Sequence, residues 1–316
     1  MNRNRFRQLT ILGIGFFIGW FCVPGCKNKS TSSYDSIKGG TIHISVDESF
    51  KPVIEEQIRV FEKSFPGTHI KADYKTEADC LKDLFRDTSN RMIIVTRGST
   101  DDEEQYFKDS LHYLPRWNEL ATDAIAVIVN SKSNDTLFTI DRLKKQLTGL
   151  VNRDQTVVFD GLNATSTVRY VLDSILRGQK FDTAVVRAVR SSQDVINYVS
   201  NNTDAIGFVG ISWIGNPEDS AQVSMLKKVK IAYVSCDLCT DSPYVKPMQS
   251  SILTRRYPLV RGLYYILKEN YYGLGSAFVN FMKYERGQLI FKRGYLGPTM
   301  EFGVRNVRIN EKLEKD

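Results

Sequence analysis

The stretch TIHISVDESFKPVIEEQIRVFEKSFPGTHIKADYKTEADCLKDLFRDTSNRMIIV, residues 41–95, alternates short β-rich runs with longer amphipathic ones. Residues 41–46 read as a strand. Val53, Ile54, Ile58, Phe61 and Phe65 then recur at the spacing of one helix face. Pro52 falls in the first turn of that helix, where its missing N–H costs nothing, and Glu48 or Ser49 is expected to cap it. Residues 69–74 form a second strand, 77–85 a second helix and 91–95 a third strand. Short connections in a β-α-β-α-β order imply a mostly parallel sheet covered by helices.

Working outward, TDAIAVIVN at 122–130 is a strongly apolar strand, 140–147 a helix and QTVVF at 155–159 another strand. Helices are expected over 166–176 and 192–200, and strands over 205–209 and 228–234. The aromatic C-terminal third reads as helical over 259–268 and 276–284. No fixed-period repeat is visible. With 42% hydrophobic and 25% charged residues the composition is globular. About 275 structured residues suit two lobes of ordinary size. The fold class is α/β, with residues 39–122 and 231–316 in one lobe and 123–230 in the other.

The N-terminus explains the shortfall from 316 residues. Arg3, Arg5 and Arg7 precede an apolar run over 11–21, too short for a comfortable membrane span. Val23-Pro24-Gly25-Cys26 follows and resembles the lipobox of bacterial lipoproteins, with Cys26 lipidated and the leader 1–26 removed. Residues 27–38, rich in Ser, Lys and Asn, read as a flexible tether. Acyl chains contribute about 0.8 kcal/mol per buried CH₂, so the expected product is membrane-anchored and works outside the cytoplasm.

The formal charge of +7 loses three arginines with the leader, leaving 40 basic against 36 acidic residues. No basic block interleaved with aromatics is present, so nucleic acid is not an expected partner. His43, His69 and His112 have no neighbours at ligand spacing, and no metal site is expected. Beyond Cys22 and Cys26, the cysteines are Cys80, Cys236 and Cys239. The Cys236/Cys239 pair reads as a local disulfide or two unpaired thiols. No nucleophile elbow, His pair or phosphate-binding loop supports an enzyme.

Ligands of open α/β sheets sit beyond the carboxyl ends of strands, which directs attention to three turns. Glu48, Ser49 and Phe50 follow the first strand, Arg97 follows the third, and Asn163, Thr165, Ser166 and Thr167 follow QTVVF, with Arg169 one helical turn on. Hydroxyls and free amides at helix starts favour an anion, and Arg97 adds a cation. Each turn also reads as an ordinary cap, and Arg169 as the partner of a carboxylate on its helix.

The order of these motifs resembles the phosphate-binding subunits of ABC transporters, in the type II periplasmic binding-protein superfamily. Ser49-Phe50-Lys51-Pro52 matches the family's Thr-Phe-Pro turn, and Thr96-Arg97 falls where it has Ser-Asp. Asp123 to Val127 with Asn130 looks like its crossover strand, and residues 163–167 match its Ser-Gly-Thr turn. Asp204 to Val209 matches its GAIGY strand, and Tyr257-Pro258-Leu259 with Arg261 and Tyr264 its C-terminal segment. The resemblance implies two lobes joined by two crossover strands and closing on a dehydrated oxyanion, with no cofactor and no chemistry on the ligand. It implies a monomer that captures inorganic phosphate for a membrane permease, with Ser49, Thr165, Ser166 and Thr167 as anion contacts. The family's arginine before the Ser-Gly-Thr turn is absent, and its proton-accepting acid is replaced near Arg97; Glu48 and Arg97 are the expected substitutes. A chain that kept this fold without its ligand, as a sensor or assembly partner, is the alternative.

Overall fold

The computed structural model describes residues 35–151, 154–161, 164–240 and 243–302; the leader, Cys26 and Asn163 lie outside them. The first half runs β1 (Gly40–Asp47), α1 (Lys51–Ser64), β2 (Thr68–Lys75), α2 (Glu77–Arg86), β3 (Asn90–Val95) and α3 (Asp101–Leu111). A long strand, β4 (Arg116–Asn130), leads to β5 (Leu137–Phe138), α4 (Ile140–Leu147), β6 (Thr156–Phe159) and α5 (Ser166–Val171). Then come β7 (Val186–Ala188), α6 (Ser192–Asn201), β8 (Ala205–Gly210), α7 (Ser220–Leu226), β9 (Val229–Ile231) and β10 (Tyr233–Ser235). The chain ends through β11 (Tyr244–Val245), α8 (Gln249–Leu253), β12 (Val260–Leu267), α9 (Leu274–Lys283), α10 (Glu285–Arg293) and β13 (Gly297–Pro298).

Ile42, Ile44 and Val46 are buried because β1 lies between β2 and β3, parallel to both. Val53, Ile54, Gln57 and Phe61 turn the inner face of α1 onto the core. β6 likewise pairs in parallel with β7 and β8. The two parallel sets are joined in the order β2-β1-β3-β12-β4-β8-β6-β7. This is the α/β architecture expected from the sequence, a mostly parallel sheet with flanking helices, curled about β4.

β12 runs antiparallel to both β3 and β4, so these two point the same way, and β8 runs against β4. The carboxyl ends of the two parallel sets therefore face each other. Val95 of β3 is level with Tyr264, which pairs with Glu119 of β4, while Gly210 of β8 pairs with Ile125. The strand ends converge near Asp123.

Three expectations are corrected. Residues 259–268 are not helical: VRGLYYIL is strand β12, held by ladders on both sides. Its β-branched and aromatic residues suit a pleated surface, and tertiary pairing decides the matter. The strand expected over 228–234 breaks at Ala232, with β9 joining β4 and β10 joining a separate small sheet with β5 and β11. Neither Glu48 nor Ser49 caps α1: its N-cap position is Phe50, with no side-chain hydrogen bond, and Asp47 caps the 3₁₀ turn Glu48–Phe50 that precedes that helix. Cys236 and Cys239 form a disulfide, and Cys80 is buried and free. Among the described residues no helix is long and apolar enough to cross a membrane.

Candidate anion-binding site

Asp47 ends β1, and its Oδ1 accepts the Ser49 amide at 3.0 Å. That bond tightens the turn and leaves the buried Ser49 hydroxyl free of capping duty. Across the seam, β6 ends at Phe159 and the chain turns through Gly161, whose φ of 155° suits glycine. Thr165 caps α5: its hydroxyl accepts the Val168 amide at 3.4 Å and donates to Asp160 Oδ1 at 2.9 Å. With the cap made by Thr165, the next two hydroxyls reach inward. Ser166 Oγ lies 3.3 Å and Thr167 Oγ1 3.5 Å from Ser49 Oγ.

A cation completes the cluster. Arg261 of β12 donates through Nη1 to Ser166 Oγ at 2.8 Å and Thr167 Oγ1 at 3.4 Å. Its Nε donates to Asp123 Oδ2 at 2.8 Å, and its guanidinium lies 5.1 Å over the Phe50 ring. Asp47, Ser49, Asp123, Ser166, Thr167 and Arg261 are all buried. Yet Asp47 Oδ2, Asp123 Oδ1 and Arg261 Nη2 have no hydrogen-bond partner among the described residues. An orphaned buried polar group costs about 1–3 kcal/mol, so three in one cluster need a reason.

Burial raises the Asp47 carboxyl to about 7; Arg261 opposes the shift and the Glu77 charge adds to it. Burial also raises Asp123, against the pull of Arg261. Arg261 itself is penalised by burial, but Asp123 and Asp47 more than offset this and hold it charged. The arrangement offers hydroxyls, a guanidinium nitrogen with two free N–H groups and a carboxyl that titrates near neutrality. That set suits a small polyatomic anion, and the acid oxygen adds an acceptor for any proton the anion carries.

Ser49, Ser166 and Thr167, all expected from the sequence, are brought together, with Thr165 as their cap and Phe50 beneath the cation. The other expected residues are engaged elsewhere. Arg97 forms a two-pronged bond to Glu103, at 2.7 and 2.6 Å, within the capping box of α3. Glu48 accepts the Ser192 hydroxyl at 2.7 Å and the Ser192 amide at 3.3 Å, at the start of α6. Its carboxyl is raised by burial, which bonds from Ser192 only partly offset. Glu48 and Arg97 do not form the substituted pair. Arg169 bonds Glu77 and Thr96, and Asp173 of its own helix lies at 3.5 Å. Sequence reasoning passed over Asp47, Asp123 and Arg261 as site residues. The available signal was a charge inside an otherwise apolar strand.

A family model described as "PBP superfamily domain" matches residues 31–285. Among solved structures, a protein described as a phosphate ABC transporter substrate-binding protein from Clostridium perfringens, with bound phosphate, has a TM-score of 0.68 at 20% identity; the match covers 83% of this chain and 100% of that one. An ABC-type phosphate transport receptor from Vibrio cholerae reaches 0.58 at 18% identity, covering 81% and 99%. PstS from Borrelia burgdorferi reaches 0.51 at 18%, covering 82% and 98%. No curated protein matches. Since the family model spans well over half of the chain, the protein belongs to the PBP superfamily.

Proposed function

We propose that this chain is a lipid-anchored, monomeric solute-binding protein that captures inorganic phosphate outside the cytoplasm and passes it to an ABC permease. The observation that carries the ligand is that Asp47 Oδ2 and Arg261 Nη2, both without a hydrogen-bond partner among the described residues, belong to one buried cluster with the hydroxyls of Ser49, Ser166 and Thr167. Asp47 and Arg261 supply, from new positions, the acid and the arginine whose usual places are empty in this sequence. Arg261 and the hydroxyls of Ser49, Ser166 and Thr167 donate to the anion, while ionised Asp47 accepts its hydroxyl proton. Sulfate carries no such proton near neutral pH and would set an oxygen against the Asp47 carboxylate. The solved structures from Clostridium perfringens and Vibrio cholerae, whose descriptions name phosphate, support the same ligand. No nucleophile or base is invoked, and the ligand leaves unchanged.

The sign of the pH dependence follows from Asp47. With its carboxyl near 7, it accepts above that pH and acquires a donating proton below it. Calorimetry should show phosphate strongly preferred over sulfate at pH 8, with sulfate binding strengthening as pH falls through 7. Asp47→Asn, which carries a permanent donor, should gain sulfate affinity at pH 8 and lose the pH dependence. Silence toward phosphate, sulfate and related oxyanions alike would discard the proposal and favour a partner or sensor that kept the fold without the ligand.

A further inference from the structure

Outside the hydroxyl cage, a second set of bonds crosses between the halves of the sheet. Glu77, the first residue of α2, is 2% exposed. On its own side it accepts the Thr96 amide at 2.9 Å, just beyond β3. From the other side, Arg169 Nε donates to Glu77 Oε2 at 2.7 Å and Nη2 to Oε1 at 3.2 Å. Arg169 Nη2 also donates to Thr96 Oγ1 at 2.7 Å. One residue further along α2, the Ala78 amide donates to the Ala164 carbonyl at 3.2 Å. These bonds tie α2 and the end of β3 to residues 164–169, the segment that presents Ser166 and Thr167.

The clasp is asymmetric. Its acid is buried, with a side-chain exposure of 3%, while its arginine is 42% exposed. Burial works against the Glu77 charge, yet bonds from Arg169 and Thr96 hold it below the usual carboxylate range. The opposite edge of the guanidinium faces Asp173, so Arg169 has a carboxylate within its own helix when it leaves Glu77. Glu77 also acts electrostatically on Asp47 and Arg261, which places its charge near enough for the cage to feel whether it is neutralised.

We propose that Glu77 and Arg169 form a latch between the two halves, a positioning pair whose opening gates release of the anion held by Ser49, Ser166, Thr167 and Arg261. The proposal rests on reading that cage as an oxyanion site. The anion cannot leave until the segment bearing Ser166 and Thr167 separates from the Ser49 turn, and the latch binds that segment to the first half. Salt should loosen the latch through its exposed arginine.

Release of radiolabelled phosphate from Glu77→Gln, Arg169→Met and the double variant tests the gate. Each single variant should raise the off-rate, on the order of tenfold, with little change in on-rate, because truncating one partner of a charge pair whose acid is buried acts on dissociation. The double variant should release no faster than the worse single variant, and Arg169→Lys should rescue only in part. An unchanged off-rate, or an on-rate falling in step, overturns the gate. The double variant also guards against misfolding, since it leaves no unpaired buried charge behind. Hydrogen exchange of the Ala78 amide in unliganded protein tests the clasp itself: it should be protected in the parent chain and faster in both single variants. Unchanged protection refutes the latch whatever anion binds. Faster exchange in a chain that takes no phosphate supports the latch and removes the ligand reading instead.

Discussion

Arg261 and Asp123 retain 3% and 0% of their side-chain exposure, so each depends on the other for its charge. Removing one member of a buried pair leaves a bare charge and costs about 3–5 kcal/mol, whereas replacing both is often nearly neutral. Arg261→Met should therefore destabilise the protein by about 3–5 kcal/mol in denaturant unfolding and abolish phosphate binding. Adding Asp123→Asn should restore most of the stability but none of the binding. Recovery of binding in the double variant would show that Arg261 serves only to neutralise Asp123. The two losses separate because Arg261 has two partners: Nε belongs to Asp123, while Nη1 and the unsatisfied Nη2 belong to the cage.

At the scale of elements, β8 and α6 show how tightly the second half is built. A Cβ at Gly207 would sit 2.8 Å from side-chain carbons of Val195 and Val199 and 2.9 Å from Ile128 Cγ1. The missing side chain lets α6 lie close on β8, and α6 begins at Ser192, the partner of Glu48. Overpacking of this kind costs about 1–3 kcal/mol. Gly207→Ala should lower stability by that amount in urea unfolding, with phosphate affinity falling less than stability does; an unaffected midpoint would mean the helix simply rides outward. The same scale explains what the sequence disclosed. Local patterns sufficed for α1 and α2, whose periodicity is set by one buried face, for β3, a continuous apolar run buried on both faces, and for Ser166 and Thr167, which stand where a helix start was expected. They failed at β12, whose burial alternates over residues 260–265 while its sequence does not, because Arg261 fills a buried position and Val260 and Tyr264 the half-buried ones. Reading those residues as a helix hid Arg261, since its neighbours in the cage come from β1, β4 and α5 and no local spacing encodes that meeting. Arg97 misled for the converse reason: its bond to Glu103, six residues on, was available locally and satisfied it.

For the molecule as a whole, the two parallel sets share one apolar core that runs through β4, so opening must work through the polar seam rather than through a split in the core. The protein that does this is, by the proposal, carried on acyl chains at Cys26. The apolar run over 11–21 falls well short of the roughly 20 residues that a spanning helix needs. By the same proposal, leader cleavage alone would release the chain, and lipid on the cysteine is what would keep it at the membrane. One acyl chain gives marginal attachment, and stable anchoring takes a second, which a diacylated cysteine supplies. In a bacterial host fed an alkyne fatty acid, the chain should take up label, and Cys26→Ala should take up none. Fractionation is the weaker readout, because a variant that escapes processing keeps its leader and the attachment that leader provides. Equal labelling of Cys26→Ala would move the lipid to another residue, and an unlabelled parent chain would remove the anchor; either result leaves the anion cage untouched, since Asp47, Ser49 and Arg261 owe nothing to the anchor.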